Sequence, residues 1–359
     1  MEFIKEIINL LAAPQILITM AAILLFVSVR YREIFYSNRT AMVLFPGMAV
    51  FLAVSMLDAD FYLIVTKPDN IPIVGMLFLI PFFTWFAMRE GVRNDKRIAD
   101  GKPVIEKEET AGKVLTWPDL VYTELICMVI LTFVLIGWSI LIAAPIEEPA
   151  NPANTPNPSK APWYFLGLQE MLVYFDPWLA GVVFPSLIIV GLMVIPFVDI
   201  NPNGNGYYTF AERKVAVLIF LFGFSILWIT LIINGVFLRG PGWNFFLPGQ
   251  EWDPHKIVAL TNVDLPSVFG FKMEPSGKIE TFLTSPAFHI GALFVSGYYF
   301  LGVLWYLFRM KTGGYENVGI TRYALKAVLF LTMMAVPIKA FLRIAFNIKY
   351  IWVTPWFNI

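Results

Sequence analysis

Apolar residues fall into eight long runs separated by polar stretches: roughly Gln15–Val29, Ala41–Leu57, Pro72–Met88, Leu120–Ala144, Leu179–Val198, Val215–Leu238, Ala287–Leu307 and Ala324–Leu342. A helix that crosses the hydrocarbon core of a bilayer needs about 20 largely apolar residues. The pattern therefore predicts an all-α integral membrane protein with about eight transmembrane helices. Pro46, Pro81, Pro185 and Pro196 fall inside these runs, and neighbouring helices in a membrane bundle tolerate such kinks. The first run is followed by Arg30 and Arg32 and by no small-residue cleavage site, so it reads as a retained anchor rather than a signal peptide.

Three polar segments interrupt the pattern. Arg89–Trp117 is charged and reads as a solvated loop or short helix. Pro145–Pro162 is rich in Pro and Asn, which favours extended, semi-rigid backbone. Arg239–Pro286 is mixed and long enough for a small cap. These segments divide the chain into a three-span N-terminal extension (1–88), a charged loop (89–117), a central membrane domain (118–246), a loop or cap (247–286) and a two-span C-terminal extension (287–359). No internal repeat of fixed period is present, which weakens an inverted-repeat transporter reading.

Composition agrees: 58% of residues are hydrophobic and only 14% charged, against about 25% charged in soluble domains. The 26 basic and 26 acidic residues balance, so nothing points to nucleic acid. Their placement is uneven. With the N-terminus outside, the inner loops receive Arg30, Arg32 and Arg39, seven basic residues from Arg89 to Lys113, then Arg213, Lys214, Arg309, Lys311, Arg322 and Lys326. The positive-inside rule then puts both termini on the outer, periplasmic side of a bacterial inner membrane. One cysteine excludes a disulfide framework and a CxxCH haem site. Cys127 lies within a span and reads as a small packing residue. Asp199–Gly204 starts like a calcium loop, but its twelfth position is Phe210 where glutamate is needed, so it reads as a turn.

The segment with most chemistry is Trp163–Phe175, WYFLGLQEMLVYF. It is too short to span and carries one polar pair, Gln169 and Glu170. Glu170 shares a helical face with Trp163, Leu166 and Tyr174. Two readings stand: an interfacial helix with an aromatic belt, or a helix beneath the outer loop that presents one carboxyl group to an apolar pocket. In the second, the carboxyl group has a raised pKa and can exchange protons.

The order Trp117-Pro118-Asp119-Leu120-Val121-Tyr122, then Glu148-Pro149-Ala150-Asn151-Pro152-Ala153-Asn154-Thr155-Pro156, then Ala161-Pro162-Trp163-Tyr164-Phe165, with spans between and after, resembles the C-terminal part of cytochrome b. It is closest to the separate subunit IV of split cytochrome bc complexes. The resemblance covers about Trp117–Phe246. In that family a Pro-Glu-Trp-Tyr motif opens a short helix on the positive side of the membrane and lines the quinol-oxidising site. The resemblance therefore implies quinol contacts from Pro162, Trp163, Tyr164, Phe165, Leu166 and Tyr174.

The motif glutamate aligns with Pro162, and its proline with Ala161. Pro162 cannot accept a proton, so an active site needs another group. Glu170 is the first candidate for the catalytic carboxylate, with Tyr164 shaping or hydrogen-bonding the site. Glu147 and Glu148 are second choices, and a degenerate site is the opposing reading. Asp119 aligns with an acid near the family's inner quinone site; with Glu124 it is a candidate for inner-side quinone binding or proton uptake, or it complements a helix dipole.

Cytochrome b holds its haems between paired membrane histidines. The only two here, His255 and His289, cannot form two pairs. The resemblance thus implies a haem-bearing cytochrome b N-terminal subunit, a Rieske-type iron–sulfur or c-type cytochrome partner, lipids and a dimeric complex. The b and c haems and the iron–sulfur cluster sit on those partners, and a quinol (menaquinol or ubiquinol) is the substrate. The competing readings are a quinol-binding anchor of another redox complex, a non-redox transporter and a scaffold.

Overall fold

A computed structural model describes residues 2–109, 114–143, 149–153, 155–199, 206–256, 258, 261–271, 283–311, 318–354, 356 and 358–359. Glu147, Glu148 and residues 200–204 of the calcium-like stretch lie outside them. The main helices are α1 (Glu2–Ala12), α2 (Pro14–Arg30), α3 (Asn38–Ser55), α4 (Ile71–Ala99), α5 (Thr116–Leu141), α6 (Trp163–Met171), α7 (Leu179–Val198), α8 (Lys214–Leu238), α9 (Pro286–Lys311) and α10 (Ile320–Phe346). Strands β1 (Val263–Asp264) and β2 (Ile348–Tyr350) form a short parallel pair. The protein has the architecture of an all-α integral membrane protein.

Among the described residues seven helices, α3–α5 and α7–α10, are long and apolar enough to cross a membrane. The first expected span is realised as α2, whose 17 residues rise about 26 Å. It meets α1 at a 76° bend, at the Ala13-Pro14 junction. Counted with α1 it makes an eighth span. The third span runs further than the apolar run predicts: α4 continues to Ala99 into the segment read as a solvated loop or short helix. Glu90 explains part of this. It takes Arg89 at 2.7 Å and Arg93, one turn on, at 3.0 Å, so the charged turns hold themselves in helix.

Two compact units emerge, neither contiguous in sequence. One comprises residues 20–155 and 203–221. In it Met88, Phe210 and Leu221 form a buried cluster, flanked by Leu25, Val29 and Tyr36. Asn94, fully buried, donates to Glu106 at 2.7 Å and to the Tyr208 carbonyl at 2.9 Å, and accepts from the Ile105 amide at 3.0 Å. Asp95 accepts from the Thr209 hydroxyl and from the Phe210 and Ala211 amides. These side chains take up backbone groups that helices do not satisfy. No residue of α5 from Val121 to Leu141 is buried.

The other unit comprises residues 1–19, 156–202 and 222–359. Its core is Met171, Tyr174, Phe175, Ala180 and Leu231, with Trp228, Val336 and Ala340 packed around it. Helices α9 and α10 form a hairpin in which Tyr298 donates to the Leu331 carbonyl and Tyr323 to that of Gly302. The short helix α6 lies directly on α8. Gly235 lets this happen: a Cβ there would stand 3.2 Å from the Leu166 carbonyl oxygen. Gly167 does the same from α6, 3.1 Å from the Trp228 ring. Small residues at such crossings let two backbones approach.

Candidate functional site

Helix α6 begins where Pro162 sets φ to −52° in extended backbone, a start that suits the fixed φ of proline. The chain before it is tied down. Gln169 accepts from the Ala161 amide and donates to the Ser159 carbonyl, both at 2.9 Å. Lys160 donates to the Val236 carbonyl at 2.9 Å, and Asn157 accepts from the Gly242 amide at 2.6 Å. The polar half of the expected Gln169–Glu170 pair is therefore a clamp on the Pro/Asn loop.

The helix itself has two faces. Pro162, Tyr164 and Phe165 are exposed, the two rings being about half accessible. Tyr164 stands edge-on to Trp163 at 5.6 Å and tilted against Phe165 at 4.6 Å. Among the described residues the Tyr164 hydroxyl has no hydrogen-bond partner. Leu166, Gly167, Glu170 and Met171 are buried, and Tyr174 follows in the turn after the helix, 2% exposed. The helix ends at Met171, one turn earlier than the apolar pattern suggests. The six residues expected to contact quinol thus divide into an exposed rim (Pro162, Tyr164, Phe165), the half-buried Trp163, and a floor (Leu166, Tyr174).

Glu170 is fully buried. It was expected as a lone carboxyl group in an apolar pocket; it has partners. Arg239 grips it in a two-pronged fork, Nη2 to Oε1 at 2.7 Å and Nε to Oε2 at 2.9 Å. The Tyr174 hydroxyl donates to Oε1 at 3.0 Å. A planar guanidinium matches a carboxylate in this geometry better than any other side chain. The Tyr174 phenol is pushed above its ordinary range, first by burial and then by the neighbouring carboxylate.

Arg239 is delivered by the way α8 ends. Over Asn234–Leu238 the helix widens to i→i+5 bonding, and the Arg239 amide closes on the Asn234 carbonyl at 3.0 Å. Arg239 then pairs in antiparallel fashion with Phe245. The return is a tight turn, with Gly242 at φ 63°, a conformation natural to glycine. Gly240 faces the Phe246 ring where a Cβ would stand only 2.4 Å away. This turn puts the Trp243 carbonyl 2.8 Å from Nη1 and the Phe245 ring 3.6 Å from the guanidinium carbon. The cap aromatics Trp243 and Phe245 therefore cover Arg239, while Phe246 is buried beside Trp252. Among the described residues Asn234 Oδ1 and Trp243 Nε1 are buried without a hydrogen-bond partner.

Sequence reasoning missed Arg239. A signal was present: it is the first charge after an apolar run, in a loop otherwise dense in Gly, Pro and aromatics. Nothing in the sequence ties it to a residue 69 positions away.

The remaining candidates stand elsewhere. Asp119 and Glu124 are exposed at the start of α5; among the described residues neither forms an ion pair. Cys127 is exposed on the same helix, not packed. His255 and His289 are exposed, the latter beside Phe288. Two exposed histidines on separate elements do not make the facing pairs that haem iron requires, so this chain's residues do not fit a haem. Among the described residues no group of three or more His, Cys, Asp or Glu is placed to hold a metal.

Residues 149–235 match the family of cytochrome b(C-terminal)/b6/petD. That match is consistent with a cytochrome b C-terminal segment over about a quarter of the chain. It contains the end of the Pro/Asn loop, α6, α7 and most of α8, and it stops just short of Arg239. The cytochrome b assignment points to a multi-pass membrane subunit of cytochrome bc/b6f type, part of a redox complex in which haem and quinone take part, alongside an N-terminal cytochrome b part. The match spans neither helices α1–α5 nor the two helices that follow α8. No solved structure matches the chain.

Proposed function

We propose that this chain forms the quinol-oxidising face of a cytochrome bc-type quinol:cytochrome c oxidoreductase. The observation that carries the reading is the coincidence of a cytochrome b C-terminal segment with an exposed aromatic rim, Pro162, Tyr164 and Phe165, on a short helix whose next two turns hold a buried carboxylate. A quinol ring packs against Tyr164 and Phe165 with Trp163 and Leu166 behind. The free Tyr164 hydroxyl hydrogen-bonds a quinol oxygen. Oxidation of the quinol to quinone releases two electrons and two protons. Partner subunits would supply the one-electron centres that accept these electrons, an iron–sulfur or c-type centre outside and a b haem in an N-terminal cytochrome b partner. Glu170 takes one of the two protons, with Tyr174 hydrogen-bonded to it, and passes it to the outer side; the other leaves the quinol directly to the outer aqueous phase.

The distribution of basic residues supports an outer position for α6. Helix α5, with no residue buried from Val121 to Leu141, supports a home among lipids and other subunits, because an apolar helix needs such a surround. Asp119 and Glu124 at its start serve proton uptake or a quinone on the inner side. The test is Glu170→Gln in the purified complex. Quinol-driven cytochrome c reduction should fall sharply while the haem spectrum and subunit content stay unchanged. Wild-type turnover in that variant would sink the reading of Glu170.

A further inference from the structure

We infer that Arg239 is the positioning residue for Glu170, and that the carboxylate meets quinol by releasing one prong of the fork while the other holds. This deepens the reading above and rests on it. The two carboxylate oxygens are not equivalent. Oε1 accepts from Arg239 Nη2 and from the Tyr174 hydroxyl. Among the described residues Oε2 accepts from Arg239 Nε alone. Losing that one bond frees Oε2 and leaves Glu170 paired with the guanidinium through Oε1. A proton from quinol then arrives at Oε2, and its return to the outer side restores the fork.

Arg239 is built to stay behind. Its Nη1 is fixed to the Trp243 carbonyl at 2.8 Å and its face lies on the Phe245 ring at 3.6 Å. The anchor and the fork belong to different nitrogens, so loss of the Nε bond leaves the guanidinium fixed through Nη1. The helix has a reason to need this cation. A carboxylate with no exposed surface cannot keep its charge at tolerable cost without a partner.

The groups that face this pair are few. Tyr174 comes from the segment after α6. From α10, Arg343 is near enough to Arg239 for their charges to interact, and Lys339 lies over the Phe175 ring at 5.4 Å. Lys160, in the loop before α6, is turned to the Val236 carbonyl. Asp176 is engaged with the Trp178 amide and Asn358. Arg239 is therefore the cation in direct contact with Glu170.

The test measures cytochrome c reduction by a short-chain quinol against pH, in purified complexes carrying Arg239→Gln, Arg239→Lys or Glu170→Gln. Removing the cation favours the neutral form of the carboxyl group, which cannot accept a proton. The acid limb of the rate profile in Arg239→Gln should then move to higher pH by at least about one unit. Arg239→Lys keeps the charge and should keep the limb near its wild-type position, with kcat lowered and quinol KM unchanged. A helix merely held in place by Arg239 would lose assembled complex or raise KM without moving the limb. If Glu170→Gln is slow and the Arg239→Gln limb is unmoved, the inference falls alone. If Glu170→Gln turns over at the wild-type rate, the proton-acceptor reading falls and takes the inference with it. If Arg239→Gln does not assemble, Arg239→Lys decides: wild-type kcat in that variant overturns the inference.

Discussion

Glu170 and Arg239 should be coupled far more strongly than an ordinary surface pair, and a double-mutant cycle measures by how much. Arg239→Leu strands a carboxylate that has no exposed surface and keeps only the Tyr174 bond. Breaking a buried pair from one side costs about 3–5 kcal/mol. Glu170→Leu leaves a guanidinium 6% exposed, still held by the Trp243 carbonyl and the Phe245 ring, and should cost at the lower end of that range. Replacing both by leucine removes both buried charges together, a change that is often near neutral. The loss of the Trp243 bond and the ring contact occurs in Arg239→Leu and in the double variant alike, so it cancels in the coupling term. The expected coupling is at least about 2 kcal/mol. The assay is equilibrium unfolding in mixed micelles followed by tryptophan fluorescence. Effects that add within about 0.5 kcal/mol would refute the claim that these residues form one buried pair.

Three further outcomes follow from single contacts. Tyr174 holds its proton above the ordinary value of 10.0. A group whose pKa is raised by folding lends stability that is complete below the unfolded value and lost as pH rises towards the folded one. Stability should therefore decline by about 1.4 kcal/mol per pH unit above pH 10, and Tyr174→Phe should flatten that slope in unfolding curves taken from pH 9 to 11. Asn94→Leu strips the buried Ile105 amide of its acceptor and removes one of the bonds to Glu106, and should cost about 1–3 kcal/mol, read as a lower Tm; no change would remove Asn94 as the tie for that segment. Gly235→Leu forces a side chain towards the Leu166 carbonyl, and an overpacking cost of about 1–3 kcal/mol should appear with lowered quinol oxidation as α6 lifts from α8. Intact activity there would show that α6 does not need its close seat.

The spans were legible because a bilayer imposes its own thickness on the sequence. Each of the seven spanning helices overlaps an apolar run, and the deviations have causes. Helix α4 outlasts its run where the buried Glu90 pairs with Arg89 and Arg93. The N-terminal run bends at Ala13-Pro14, with proline opening the second piece. The short helix was legible for the opposite reason: too apolar for a loop, too short to cross. What it does with its carboxylate was not legible. A helical period shows that Glu170 shares a face with Trp163 and Tyr174, but says nothing about what comes to meet that face. The partner arrives at the end of a different helix, through a widened last turn and a glycine-dependent reversal. Neither leaves a periodic trace. Gln169 was also opaque, since its two bonds run to main-chain groups of the loop, and any sequence supplies those.

The pair also bears on the departure from the Pro-Glu-Trp-Tyr motif. In the resembling family the carboxylate stands at the first position of the motif helix; here that position is Pro162, exposed at the rim. In the proposed reading the carboxylate has moved two turns along the helix to Glu170, and so from rim to interior. A rim carboxylate is solvated and needs no fixed counter-ion. An interior one does, and Arg239 is what that move demands. The two arrangements should then be interchangeable. Pro162→Glu combined with Glu170→Gln restores a carboxylate beside Tyr164 and leaves the interior pair neutral on one side. Quinol-driven cytochrome c reduction in the double variant should recover most of what Glu170→Gln loses. It should also lose its sensitivity to Arg239→Lys, because the rim carboxylate does not touch the guanidinium. A double variant as slow as Glu170→Gln, in a complex of normal haem and subunit content, would mean that Glu170 is not standing in for the motif glutamate.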